Sequence, residues 1–477
     1  MNIATLFQRQ DIAVEDRDGK ESYRIECGDS AKLFYEDYIQ SFTKEMSKAK
    51  PNSPEEEKIK ANYIFLYNKV ETELKRFDLN EDKISYLKNL RGKVSNLIVI
   101  QIEIDKEEDA YEIFETTNAR GIDLSIADLL KNLIFRKMKA ENDRDIAKEI
   151  WSDIVQNVQE TGTELKKFIR YFWISKYSLV TEKLLFREIK RRITNWEALL
   201  HELWNASEWY NKLIEGTKDD WTEIKNGHKI YKSVTALKKM GVSQCYVLLL
   251  SILRNYDKLS TDPARIFRLI ERFTFNYSAI CKLPANKVER LYSNYATQIE
   301  KTIGDFPSKR IPGRIQSLFS QLEKDLQDER PLFEFFRERF REVGYGTSQK
   351  SRELVKYILN EINCLDQTGE QTIDFDNVNI EHILPQSPDK KWQLTKKDIK
   401  GYVNKLGNLT LVSKRFNSIV GNRIIKEKVE EYEKSEIAMT QKLVEQFKDL
   451  GYTWGENQID QRQDKFADLA YNKVWNF

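Results

Sequence analysis

"NIEHILPQS" occupies positions 379–387 and "LGNLTLVSKRFNSIVGN" occupies positions 406–422. How these two stretches are read decides the C-terminal part of the chain. The first is apolar and β-branched up to a proline, so "VNIEHIL" (378–384) predicts a strand ended by Pro385. The second begins at a glycine turn and predicts another strand over 406–413. "TKKDIKGYVNK" (395–405), between them, predicts a small helix. The first stretch also holds His382, one of only three histidines in 477 residues. Taken alone, so short a string favours a histidine satisfied by its neighbours at a strand end.

The wider spacing supports another chemistry. Hydrolysis of a phosphodiester needs a base of near-neutral pKa to deprotonate water, and histidine supplies one. It also draws on a divalent cation at the scissile phosphate. Hard cations prefer carboxylate and amide oxygens. Residues 379–417 offer these parts in order: the Glu381 carboxylate, the His382 imidazole, Asn408 after a glycine, and the amide of Asn417 as a second metal ligand. Neighbours on a strand point to opposite faces, so Glu381 and His382 need a strand end or a twist to serve one site. The other histidines lack such surroundings. His201 in "LLHELW" reads as a packing or surface residue, and His228 in "NGHKI" as a turn residue.

Lys+Arg total 78 against Asp+Glu 76, a net charge of +2, so nucleic-acid binding has to come from a local patch. "KKWQLTKKDIKGYVNK" and "SKRFN", with Lys414 and Arg415, place cations on both sides of the candidate site. Such runs are usually solvated faces; beside a phosphodiesterase site a phosphate-binding role stands level with that reading. Hydrophobic residues make up 40% and aromatics 12%, enough for sizeable cores. The four cysteines form no CxxC pair, which excludes a disulfide framework and a cysteine-based zinc site. The N-terminus has no apolar signal region, and "CYVLLLSIL" (245–253) is too short to span a bilayer. A soluble, cytoplasmic protein is expected, with no membrane partner.

Mainly α structure with small α+β modules is expected in three parts: 1–135, 136–365 and 366–477. "SPEEEKIKANYIFLYNKVETEL" (53–74) has a Ser N-cap, Pro54 and first-turn glutamates, a strong helix start. Residues 29–46 carry Leu33, Phe34, Tyr38 and Phe42 at helical spacing. "NLIVIQIEI" (96–104) reads as a strand. It is followed by a loop at "TTNARGIDLS" and a helix capped by Ser125. From about 136 to 365 successive amphipathic runs predict a helical scaffold, broken at Gly162, "EGTKDD", "TDP" and "FPSKRIPG". Its aromatics read as core rather than as a base-stacking platform. "NRIIKEKVEEYEKSEIAMTQKLVEQF" is helical. The closing helix shows Ile459, Phe466, Leu469, Ala470 and Val474 on one face.

"EHILPQS", "LGNLTLVSKRFNSIVGN" and "KEK" together resemble the HNH ββα-metal nuclease module of GmrSD-type modification-dependent restriction enzymes. The resemblance implies a Mg²⁺- or Mn²⁺-dependent DNA endonuclease of a restriction or anti-phage defence system, nicking or cutting both strands. It implies His382 as general base and Asn408 as the asparagine that ties the ββ loop and orients the histidine. Glu381, where the wider superfamily carries Asp, and Asn417 would be the metal ligands. Asn422 and Lys428 would take a DNA-contact or structural role, and Lys414 and Arg415 would meet DNA.

"IFETTNARGIDLSIADLLKNLIF" (113–135) is similar to a motif of the ParB-like sensor domain in the same family. That implies a loop of Glu115, Asn118, Arg120 and Gly121 for a nucleoside triphosphate, GTP or ATP, acting as regulator, with Asp128 and Lys131 on the next helix. The family's Asp-Gly-Gln-Gln-Arg motif does not occur in this sequence, so the resemblance leaves two readings open: an upstream subunit supplies it, or that half of the sensor has been lost; a homo-oligomer is a further candidate partner. Two other readings stand beside the nuclease. One is a non-catalytic DNA- or partner-binding subunit; the other is an NTP-binding regulator centred on 113–135.

Overall fold

The computed structural model describes residues 13–15, 21–23, 27, 31–41, 44–98, 126–138, 141–259, 262–366, 378–414 and 421–477. The chain divides into two compact units, 1–105 and 106–477. Helices dominate the described residues, which otherwise form two small antiparallel sheets of two strands each.

In the first unit, Ala13–Glu15 pairs with Glu21–Tyr23. The run expected as one helix over 29–46 is a short α-helix, Lys32–Tyr35, that widens into a π-turn at Glu36–Gln40. The helix Pro54–Leu74 starts where its sequence dictates. Ser53 Oγ accepts from Glu56 N at 3.2 Å, and Glu56 Oε2 accepts from Asn52 N at 2.5 Å, so the side chains satisfy two donors at the helix start. Phe34, Met46 and Ala49 form a small core with Tyr38 and Tyr63 against them. A second helix runs Asn80–Ser95, and Asn96 is its C-cap. Of the strand expected at 96–104, residues 99–104 lie outside the described residues, as do the loop at 113–125 and its cap Ser125.

The described part of the second unit begins with the helix Ile126–Lys137 and is largely helical to Asn363. Its breaks follow local chemistry. Gly162 and Gly241 end their helices with positive φ, and Asn226 adopts a left-handed conformation just before the helix Gly227–Met240. His228 therefore belongs to the first turn of that helix rather than to the preceding turn; His201 lies exposed on the helix Trp196–Glu215. "YVLLLSILR" is a helix buried on nearly every side, which explains its continuous hydrophobicity. No described helix is long and apolar enough to cross a membrane.

Aromatic side chains fill this core, as the composition implies. The chain end is part of it: Trp475 is fully buried and stacks on Phe275, with centroids 3.6 Å apart and planes 11° from parallel. Its indole N–H donates to Tyr357 Oη at 3.0 Å, and Tyr357 donates to Glu271 Oε1 at 2.6 Å. Ser233 donates to Glu271 Oε2 at 2.7 Å, and Arg268 pairs with the same carboxylate. Burial pushes the Glu271 carboxyl up against the pull of Arg268. The helix Glu456–Leu469, which also packs on the turn Leu406–Asn408, is thus tied through its end to the helical scaffold.

Trp475→Ala is expected to cost about 3–5 kcal/mol, the cavity left by a large aromatic plus the lost indole hydrogen bond to Tyr357. Denaturant unfolding of the two proteins checks this; a loss below about 1 kcal/mol would show that the chain end is not part of the core.

Candidate active site

Two strands frame the site. Val378–His382 pairs antiparallel with Leu409–Ser413, in register from Val378↔Ser413 to His382↔Leu409. The ladder runs through both Glu381 and His382, so the pleat separates them. Glu381 is buried against the helix Ile425–Tyr432, and His382 is half-buried on the other side.

The link between the strands depends on Asn408, which is fully buried. Its Oδ1 accepts from Leu384 N at 2.9 Å and from Trp454 Nε1 at 3.0 Å. Its Nδ2 donates to Leu384 O at 2.9 Å and to Val403 O at 2.7 Å. Its backbone carbonyl accepts from Ile383 N at 2.9 Å. Every polar position of the side-chain amide is used, and each partner is a group that burial would otherwise leave unpaired. The segment after His382 is therefore fixed from both of its backbone faces.

A second layer holds Asn408 itself. The "LGN" turn, Leu406–Asn408, lies against the helix Glu456–Leu469 so closely that a Cβ on Gly407 would sit 2.0 Å from Ile459 O. Only glycine fits there. Buried Arg462 donates to Gly407 O at 2.8 Å and to Leu409 O at 2.7 Å. Gln463 Oε1 accepts from Gly407 N at 2.6 Å, and its Nε2 donates to Phe340 O at 2.9 Å. Burial pushes the Arg462 guanidinium down to about 9, which still leaves it charged at neutral pH.

The His382 ring is held on two sides. Tyr345 meets it edge-on, centroids 5.0 Å apart. Its Nε2 lies 3.1 Å from Asn404 Oδ1. That oxygen can only accept, so Nε2 carries the proton and Nδ1 is the basic nitrogen. Gln386 Nε2 donates to the same Asn404 oxygen at 2.8 Å and lies 3.3 Å from His382 Nε2. Asn404 is fixed by its backbone, since its carbonyl accepts from Tyr345 N at 2.7 Å. Gly344 makes that approach possible: a Cβ there would lie 2.4 Å from Asn404 O. Burial, opposed by the Asn404 hydrogen bond and reinforced by the nearby Lys428 charge, pushes the imidazole down to about 4, below the near-neutral value expected for the base; the ring is neutral at pH 7 and open to a proton.

On the other face Lys428 Nζ donates to Glu381 Oε1 at 2.6 Å and to His382 O at 3.0 Å. The Lys428 side chain is fully buried. Burial pushes the Glu381 carboxyl up and the Lys428 ammonium down, each shift opposed by the partner's charge. Of the two roles expected for Lys428, DNA contact or structural, its position accords with the structural one: it meets a carboxylate inside the fold instead of solvent.

The described residues do not by themselves fit the expected Mg²⁺ or Mn²⁺. Lys428 occupies the cation side of Glu381, and the described residues contain no cluster of three His, Cys, Asp or Glu side chains that could hold an ion. Asn417 and Arg415 lie outside the described residues, as do Glu115, Asn118, Arg120 and Gly121. Asn422 and Lys414 are exposed, and Asn422 O accepts from Trp392 Nε1 at 3.2 Å.

The side chains that hold His382 and Asn408 were not singled out in the sequence. Gln386 sits inside "EHILPQS", four residues after the histidine, and Asn404 inside "YVNKLGN". Trp454, Arg462 and Gln463 come from a distant segment and leave no local signal.

Two family profiles match the chain: "GmrSD restriction endonuclease, N-terminal domain" over residues 4–135, and "GmrSD restriction endonucleases, C-terminal domain" over 333–469. No curated protein matches it.

Asn408→Asp replaces a double donor by an acceptor facing the Leu384 and Val403 carbonyls. A loss of about 3 kcal/mol or more is expected, as buried groups lose their partners. Urea unfolding checks it, and unchanged stability would contradict the role given to this amide.

Proposed function

The chain belongs to the GmrSD restriction endonuclease family, and from that premise we propose that its C-terminal strands and helix form an HNH-type nuclease module that hydrolyses DNA phosphodiesters, with His382 as general base. The observation that carries this is the setting of His382. A neutral imidazole stands at the end of a strand, its Nε2–H fixed on Asn404 and its ring braced by Tyr345. Fixing one ring nitrogen leaves the other as the base, and a base held in one orientation loses less entropy in the transition state.

The residues divide the work. Nδ1 of His382 takes a proton from the attacking water, and Nε2 remains anchored to Asn404 Oδ1. Asn404 and Gln386 are positioning residues for the ring. Asn408 positions the backbone that carries both His382 and Gln386. DNA would approach the half-buried face of His382, where Asn404 and Gln386 are exposed. The nearby segment 390–400 presents Lys390, Lys396, Lys397 and Lys400 to solvent, and Lys391 is paired with Glu427 at 2.6 Å. Such lysines supply sequence-independent affinity for the phosphate backbone. Restriction or anti-phage defence is the biological setting that accords with the family.

His382→Ala is expected to reduce cleavage of supercoiled plasmid by about 10²–10⁴-fold, the usual contribution of a general base. Asn404→Ala is expected to lose about 10–100-fold, as orienting groups typically do. Both variants should keep wild-type circular dichroism. Wild-type cleavage by a folded His382→Ala protein would overturn the assignment. Retained, salt-sensitive DNA binding with no cleavage by the wild type would favour a non-catalytic binding subunit.

A further inference from the structure

Lys428 Nζ sits between two hard oxygen donors, Glu381 Oε1 at 2.6 Å and the His382 carbonyl at 3.0 Å. A carboxylate and a backbone carbonyl are the kind of oxygens that Mg²⁺ and Mn²⁺ select. A buried hydroxyl lies one turn further along the same helix. Tyr432 lies four residues after Lys428, on the same helix face. Its side chain is fully buried, its hydroxyl has no hydrogen-bond partner among the described residues, and it feels the Glu381 charge. An unpaired buried hydroxyl is costly, so its persistence calls for a reason.

We propose that Lys428 is a built-in cation occupying a divalent-metal position on Glu381 and the His382 carbonyl, and that a metal ion binds there only by displacing the lysine. This rests on the nuclease reading above. It accounts for the mismatch between the expected metal and the structure: Glu381 is a buried carboxylate that needs a cation, and the fold supplies one from its own chain. The position lies behind the His382 strand, so ion exchange there would act on the backbone that carries the base. The lysine makes metal affinity a competition and lowers it relative to an otherwise identical site.

The test measures Mn²⁺ binding to the full-length protein by electron paramagnetic resonance, with no activity readout. Lys428→Met keeps the length of the side-chain stem and removes the ammonium. This variant is expected to bind one Mn²⁺ at least tenfold more tightly than the wild type, and the gain should vanish in Glu381→Gln/Lys428→Met. If Lys428→Met is unfolded without metal, restoration of its helical circular dichroism by Mn²⁺, absent in the double variant, supports the proposal equally. Lys428→Gln, which can still donate a neutral hydrogen bond to Glu381, should gain affinity in the same direction. Equal or weaker Mn²⁺ binding by both single variants, or a gain that survives loss of Glu381, overturns it. Plasmid cleavage by the wild type and by His382→Ala, measured on the same preparations, separates the two ideas. His382-dependent cleavage without the Mn²⁺ gain defeats only the lysine proposal.

Discussion

The four hydrogen bonds of the Asn408 side chain are the constraint on which the site depends. One buried amide spans Leu384 N, Leu384 O, Val403 O and Trp454 Nε1. It locks the segment after His382 to the turn before the second strand. Everything with chemical potential hangs from that lock: His382 on one side of it, Gln386 beyond it, and Asn404 just past Val403. A fully satisfied polar group in a dry setting is rigid because every alternative leaves several partners exposed to no solvent at all. Rigidity of this kind is what a general base requires, since its angle to the attacked water has to be set before the reaction.

That lock is itself supported from far along the chain. Arg462 and Gln463 hold the Gly407 peptide, and the helix that bears them ends at Trp475, stacked in the scaffold core. The C-terminal strands are therefore braced by the last helix, which reaches back to Phe340 through Gln463. The strand pleat then divides the functions. His382 faces the exposed polar side, and Glu381 faces the dry interior with Lys428. Neighbouring residues with different electrostatic surroundings are the normal product of a period-two element.

Much of this was legible in the sequence, for physical reasons that can be named. β-Branched residues before Pro385 mark the first strand, and "LTLVS" marks the second; both form, but the first ends at His382 and the second starts at Leu409, because Leu406–Asn408, expected within it, is the turn that Asn408 locks. The helix after Ser53 announces itself through its cap and its proline. Lys428 was not legible. Within "KEKVEEY" it looks like one more solvated charge on an amphipathic helix, and only a carboxylate 47 residues away makes its burial tolerable. Asn404 and Gln386 were hidden for a related reason. Short polar residues in turns read as solvent-facing, and nothing local shows that two of them converge on one imidazole. The role of Trp475 likewise depends on a partner 200 residues upstream.

The central claim is that His382 acts as a base in phosphodiester hydrolysis, and chemical rescue tests it most directly. Replacing His382 with Gly opens a space the size of the ring beside Asn404 and Tyr345, which free imidazole can fill. Plasmid cleavage by His382→Gly should be nearly absent and should rise, saturably, with added imidazole, while the wild type is indifferent to it. Cleavage by His382→Gly at the wild-type rate without imidazole would contradict the account.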